Sequence, residues 1–328
     1  MIRPAYPLLL AGLLALIVAL AIASLAAGRV WVPLSLWLAG SGDPRAAIVL
    51  GLRLPRTLLA ILVGGALGLG GAALQGYTRN PLADPGLLGV SSTAALGAVC
   101  SLYFGMTVAS PWLLPSAAVA GAGVGVALLL LLAGVTGGVV TFVLAGVILQ
   151  TLAGAGVALA LSLAPNPWAA GEILNWLMGS LQDRSTDELA WATPFVLAGA
   201  ALILPTGRAL DALTLGEDGA RTLGVDLGRT RLLLTLGVGL ATGGCVAVTG
   251  VIGFVGLITP HLMRPLVGAR PGRLLVPSAL AGAALVLAAD ILVRLIPAQQ
   301  ELKLGIAMSA LGAPFFLALL IGMRRRLA

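Results

Sequence analysis

The residues of this chain that could do chemistry are few, and their scarcity excludes most of it. Among 328 residues there is one lysine, one histidine and two cysteines. A phosphate-cradling loop needs a glycine-rich backbone followed by Lys and Ser or Thr. The single lysine, Lys303, stands between Leu302 and Leu304, so no such loop exists. One histidine, His261, and widely separated carboxylates give no metal cluster, catalytic triad or acid–base pair. No catalytic residue, metal site or cofactor is expected, and no nucleic acid partner. Any ATP-driven work needs a motor on another subunit.

The remaining charges are grouped. RLPR at Arg53–Arg56 is followed by twenty-two uncharged residues, then the polar island TRNPLADPG, then an apolar run opening on LLGVSS. Asp290 and Arg294 are four apart, a spacing that pairs them along a helix. An unpaired Asp at mid-membrane would cost about 2.5–3.5 kcal/mol on insertion scales, so pairing near an interface is the cheaper arrangement. The largest polar interruption, GRALDALTLGEDGARTLGVDLGRTR from Gly207 to Arg231, has the Leu and Ala spacing of two short amphipathic helices broken at Gly216 and Gly224. Most other connections are minimal, so this connector is expected to dock a partner.

What positions these groups is a membrane. With 59% hydrophobic and 9% charged residues and a mean hydropathy of +1.07, the chain lacks the polar surface to coat a soluble globule. The 45 glycines and many alanines suit helices whose backbones approach closely in lipid, and no segment alternates as a barrel strand does. Breaks at Pro, Gly and charge clusters predict ten spans, near 7–27, 57–77, 86–104, 112–133, 138–163, 190–205, 232–252, 254–268, 274–295 and 304–322. The first is read as an uncleaved span rather than a secretory leader. Cys100 and Cys245 are expected as buried small hydrophobes. Placing both termini in the cytoplasm puts twelve basic residues inside and seven outside, in keeping with the positive-inside bias. At an offset of 173 residues Arg56, Thr57, Gly64, Leu67, Gly70 and Gly71 recur as Arg229, Thr230, Gly237, Leu240, Gly243 and Gly244. The repeats fall on the second and seventh spans, an odd separation that inverts them, as in transporters built from inverted repeats.

Taken together these motifs resemble the FecCD-type permeases, the membrane subunits of ATP-binding-cassette importers for iron chelates, haem and cobalamin. The resemblance runs through RLPR, RNPLADPGLLGVSS at Arg79–Ser92, LAGV at Leu144–Val147 and WLMGSL at Trp176–Leu181. It continues through LGEDGARTLGV at Leu215–Val225, GFVGLITPHLMR at Gly253–Arg264 and LGAPFFLALL at Leu311–Leu320. It implies an all-α membrane fold of about ten helices with inverted-repeat character, of the type II importer kind, as one polytopic domain over 1–328 with coupling helices at 207–229. It implies a homodimer in the bacterial inner membrane, two ATP-binding subunits in the cytoplasm, a substrate-binding protein on the outer face, and lipid around the bundle. By the same resemblance Arg53, Arg56 and Arg294 receive carboxylates of the binding protein. Asn80 and Leu82 form a cytoplasmic gate, with Val139 and Val140 at the second gate position where some relatives carry hydroxyl residues. Leu215, Gly216, Glu217, Asp218, Arg221 and Gly224 belong to the coupling surface.

A weakly charged, small-residue pathway suits a large preassembled chelate, with ferric siderophore placed first and cobalamin or haem next. The segment PAQQELKLGIAMSALGAPFF has Lys303 and Leu304 where relatives commonly have Pro and Val. The rival reading is a secondary transporter or channel needing no ATPase, in which the connector is only a linker.

Overall fold

The computed structural model describes residues 5–28, 32, 48–134, 137–297 and 299–327, with the backbone alone at 320 and 323–327. Arg3, Arg29, Arg45 and the side chains of Arg324–Arg326, which entered the charge count above, lie outside the described residues. The described residues are mostly helical, with no strand among them. The helices are α1 (Tyr6–Ala26), α2 (Leu54–Thr78), α3 (Val90–Tyr103), α4 (Leu113–Ala133), α5 (Val139–Ser162), α6 (Pro167–Leu177) and α7 (Thr186–Ile203). They continue with α8 (Gly207–Leu213), α9 (Glu217–Thr222), α10 (Leu227–Thr249), α11 (Val255–Val267), α12 (Pro271–Leu295) and α13 (Leu304–Leu327).

Local chemistry sets the helix ends. Proline at the first or second position opens α1, α2, α6 and α12, where its fixed φ suits a helix start and its missing N–H is no loss. Asn166 caps α6 through Ala169 N–H at 2.8 Å. Ser185 and Glu188 form a reciprocal capping box at the start of α7, which is why that helix begins four residues ahead of the predicted 190. Each of the ten predicted spans overlaps one of these helices. Seven are long and apolar enough to cross a bilayer, counting the π-helical turn Val49–Arg53 with α2 and the continuation of α7 to Leu213. α3 and α11 are shorter: their fourteen and thirteen residues reach about 21 and 20 Å, short of a bilayer core of about 30 Å. α6 was not expected. It is amphipathic, buries Ile173 against Val99 and Leu102 of α3, and leaves Trp168 exposed.

The centre is built on close backbone approach. A Cβ on Gly64 or Gly68 of α2 would overlap the carbonyls of Gly282 and Ser278 on α12, so glycine is what lets these two helices touch. α2 and α10 are the most enclosed of the long helices. They begin at Leu54 and Leu227, and 227 − 54 = 173, the sequence offset of the repeat. Tyr77 meets Arg231 and Gly70 faces Val238, seven residues back along α2 and seven forward along α10. The two therefore run antiparallel, as an inverted repeat requires. One expectation fails: Cys245 is buried, but Cys100 is exposed, because it sits on the face of α3 turned away from the bundle.

Candidate functional site

Polar groups collect at the two ends of the bundle, joined by the 25 residues of α2, about 37 Å long. At the arginine end, Asp290 of α12 is fully buried. It accepts Arg56 Nε at 2.9 Å and Nη2 at 2.8 Å on one oxygen and Arg56 Nε at 3.2 Å on the other, which also forms an ion pair with Arg294 Nη2 at 2.9 Å. Glu301 binds the remaining edge of the Arg56 guanidinium through Nη1, at 3.1 Å, and Nη2. Arg294 Nη1 also donates to Ser24 O at 2.9 Å, and Arg53 Nη1 to Leu25 O at 2.8 Å, so both arginines close off the last turn of α1. Arg53, Arg56 and Arg294 are thus mostly covered within the chain, each holding two or more elements together. They nonetheless line an open cavity of about 230 Å³ with Gln182, Arg184 and Glu301. Burial lowers the Arg184 pKa, against the pull of Glu188 and Asp183.

The WLMGSL motif belongs to this end. Gly179, at φ +66°, turns the chain so that Ser180 N–H reaches Thr249 O at 2.7 Å and Gly179 O accepts Gly305 N–H at 3.2 Å. It ties the exit of α6 to the end of α10 and the start of α13.

At the opposite, connector end, α8 and α9 form the predicted pair of short helices, with Gly216 at φ +93° and Gly224 at φ +80° making the breaks. The Asp218 side chain is 96% exposed and Arg221 about half, the two paired at 2.9 Å. Leu215 is exposed as well. Glu217 behaves differently from its neighbours: it turns inward and accepts Val139 N–H at 3.3 Å. Val139 is half-buried and Val140 exposed at the start of α5.

Between the ends, the hairpin after α2 folds back into the bundle. Arg79 closes α2 in a left-handed conformation at φ 53°, Asn80 Oδ1 accepts Leu82 N–H at 2.9 Å, and Asp84 Oδ1 accepts Gly86 N–H at 2.9 Å. Pro85 then sits against Gly70 and Gly256, and Leu87 and Leu88 against Gly146 of α5. The hairpin thereby meets the break that precedes α11. Leu82, Asp84, Gln150, Phe254 and Phe316 line a cavity of about 290 Å³ there. Burial raises the Asp84 pKa, partly offset by the Gly86 N–H. Asn80 is exposed and Leu82 half-buried.

Sequence reasoning missed three participants. Glu301 was visible only as part of a divergent segment, and Ser24 as one small residue in an apolar span. Arg231 was only a count in the charge bias, although an arginine just inside an otherwise apolar span was the available signal. It is 2% exposed and donates to Tyr77 Oη at 2.6 Å, Gly134 O at 2.7 Å and Gly137 O. Among the described residues no group of three or more His, Cys, Asp or Glu could hold a metal ion.

The FecCD transport family model matches residues 15–322. Similar proteins include the uncharacterized ABC transporter permease protein YvrB of Bacillus subtilis, 41% identical over 87% of this chain and 82% of its own length. The hemin transport system permease protein HmuU of Yersinia pestis is 37% identical over 97% of each. The vitamin B12 import system permease protein BtuC of Klebsiella pneumoniae is 36% identical over 96% of this chain and 94% of the relative. A solved structure described as an inward-facing conformation of a metal-chelate type ABC transporter superposes with a TM-score of 0.87 at 33% identity, covering 96% of this chain and 99% of that one. A match that spans nearly the whole bundle, over the same helices and both polar ends, leaves one assignment: the chain belongs to the FecCD transport family, as a multi-pass membrane permease of the ABC importer class.

Proposed function

We propose that the chain is the permease of an ATP-driven importer of a metal chelate. Two copies pair in the bacterial inner membrane, two ATP-binding subunits bind the connector end in the cytoplasm, and a substrate-binding protein binds the arginine end outside. Both termini are then cytoplasmic, and residues 1–328 act as one transmembrane unit with coupling helices at 207–229. The observation that carries this reading is the connector. It presents α8 and α9 with Asp218 and Arg221 outward, on a chain whose sequence has no nucleotide-binding loop of its own. The outward apolar row Val140, Leu144, Val147, Ile148 and Leu152 on α5 supports pairing of copies beside the hairpin.

Arg53, Arg56 and Arg294 receive the binding protein's carboxylates at the mouth of the arginine-end cavity, where planar guanidinium forks suit them. Asn80 and Leu82 on the hairpin, with Val139 and Val140 on α5, form the exit gate. The cargo is a metal chelate. Relatives named for hemin and vitamin B12 support that class, and ferric siderophore, cobalamin and haem are the three members to be tried. Co-purification with an ATP-binding subunit, and uptake of each chelate into proteoliposomes with and without it, tests the proposal. ATP-dependent uptake of one chelate is expected. Equal uptake without the ATPase refutes it in favour of a secondary transporter.

A further inference from the structure

Three side chains join the connector to the helices beyond it, and none of them belongs to the helix end it serves. Val139 is the first residue of α5, and its predecessor Gly138 has no side chain with which to cap. The Val139 N–H donates instead to Glu217 Oε1 on α9, 78 positions away. α12 repeats the arrangement. Its preceding residue, Arg270, makes no cap, and Gly272 N–H donates to Asp211 Oδ1 on α8 at 2.8 Å. A Cβ on Gly272 would stand 2.6 Å from Gly207 O, so α8 lies directly on the start of α12. A helix start carries unsatisfied N–H groups and partial positive charge, so a carboxylate bonded there is held firmly and displaces the helix when it is displaced.

The third group is Arg231. It is the last residue of the connector, in the first turns of α10, and grips both Gly134 O and Gly137 O, on the connection that leads into α5. Its other acceptor is Tyr77 Oη, and its guanidinium lies 5.8 and 5.7 Å from the ring centres of Tyr77 and Phe142. Every one of these partners is neutral. An apolar side chain would fill the space without desolvating a charge, so the charge is explained by what the fork holds.

We propose that Glu217, Asp211 and Arg231 are a coupling latch: positioning residues that carry displacement of α8 and α9 to the starts of α5 and α12. On α9 the labour is divided around one turn. Asp218 and Arg221 face the motor, while Glu217, whose Oε2 lies 3.6 Å from Arg221 Nη2, turns its Oε1 to the gate helix that bears Val139 and Val140. This rests on the reading above, in which α8 and α9 dock on an ATPase.

The test uses the complex purified with its ATP-binding subunits, carrying Val140→Cys in a Cys100→Ser background, and measures labelling by a membrane-impermeant maleimide with and without ATP plus vanadate. With the latch intact, nucleotide changes the labelling rate. Glu217→Ala and Arg231→Met are expected to shrink that change roughly tenfold, the scale of an ordinary coupling free energy. Glu217→Gln is expected to keep it, because the amide oxygen still accepts the Val139 N–H, and Arg231→Lys to lose it, because one ammonium cannot span both carbonyls. The latch is overturned if Glu217→Ala and Arg231→Met respond to nucleotide as the intact protein does. It is equally overturned if Glu217→Gln fails as Glu217→Ala does, since charge toward the motor would then be what matters. An intact protein with bound ATPases and no nucleotide response overturns the importer reading itself, and the latch with it.

Discussion

Replacing Asp290 with alanine isolates the energetics of the arginine end. The carboxylate accepts three hydrogen bonds from Arg56, forms an ion pair with Arg294 and is 0% exposed. Hydrogen bonds to charged groups contribute about 1.5–3 kcal/mol each, so three bonds set a ceiling of about 9 kcal/mol. Neither arginine is left stranded, which lowers that figure. Arg56 keeps Glu301, and Arg294 keeps the carbonyl and hydroxyl of Ser24. Breaking a buried pair typically costs 3–5 kcal/mol, and the remaining acceptors place Asp290→Ala near the bottom, at about 3 kcal/mol. That is roughly a hundredfold in the folding equilibrium and about 5 °C or more in Tm. Thermal unfolding of the detergent-solubilised permease reads it, with Glu301→Gln as control. The Glu301 side chain is 20% exposed, so its loss is expected to cost about 1 kcal/mol or less. The apolar triple variant Arg56→Met, Asp290→Leu, Arg294→Met is expected to be more stable than Asp290→Ala alone, because neither arginine is left desolvated beside a missing carboxylate, and the Glu301 carboxylate that loses Arg56 keeps some contact with water. A Tm for Asp290→Ala within about 1 °C of the parent would refute the reasoning, as would a triple variant less stable than the single one.

Three further outcomes are expected. Gly68→Val forces a side chain into the Ser278 carbonyl and is expected to cost about 1–3 kcal/mol by overpacking. Gly65→Ala, whose Cβ would stand 3.8 Å from Ala279 O, is expected to be tolerated in the same melting assay. Because the folded Asp84 pKa is raised above its unfolded value, stability from its neutral form is present below the ordinary carboxylate range and is lost as pH rises from there through the folded value. Asp84→Asn keeps an acceptor for Gly86 N–H and is expected to flatten that part of the stability–pH curve. An unchanged slope there would show that Asp84 is not the titrating group.

Much of this was legible beforehand because it rests on local rules. Apolar runs of membrane length, Pro and Gly breaks and the absence of a phosphate loop need no knowledge of neighbours. The i,i+4 spacing of Asp290 and Arg294 is likewise a property of one helix. The two glycine breaks of the connector, at Gly216 and Gly224, fell where they were read, since positive φ is a residue-level demand. The predicted span 254–268 fits α11 to within one residue at each end, although thirteen residues are fewer than a full crossing of a bilayer core of about 30 Å takes. Cys100 was misplaced because an apolar surrounding in sequence does not distinguish the face that packs from the face that meets lipid or a second copy.

Sequence by itself therefore determined the class of the molecule, the register of its helices and the grouping of its charges at the span ends. Only the tertiary structure decided which way those charges point. It turned Glu217 inward to Val139 while Asp218 faces out, set Glu301 against Arg56 across 245 positions, and buried Arg231 against two carbonyls. The physical reason is that hydropathy acts on each residue alone, whereas a buried charge must find its partner, and the partner is brought near only when distant helices close on one another.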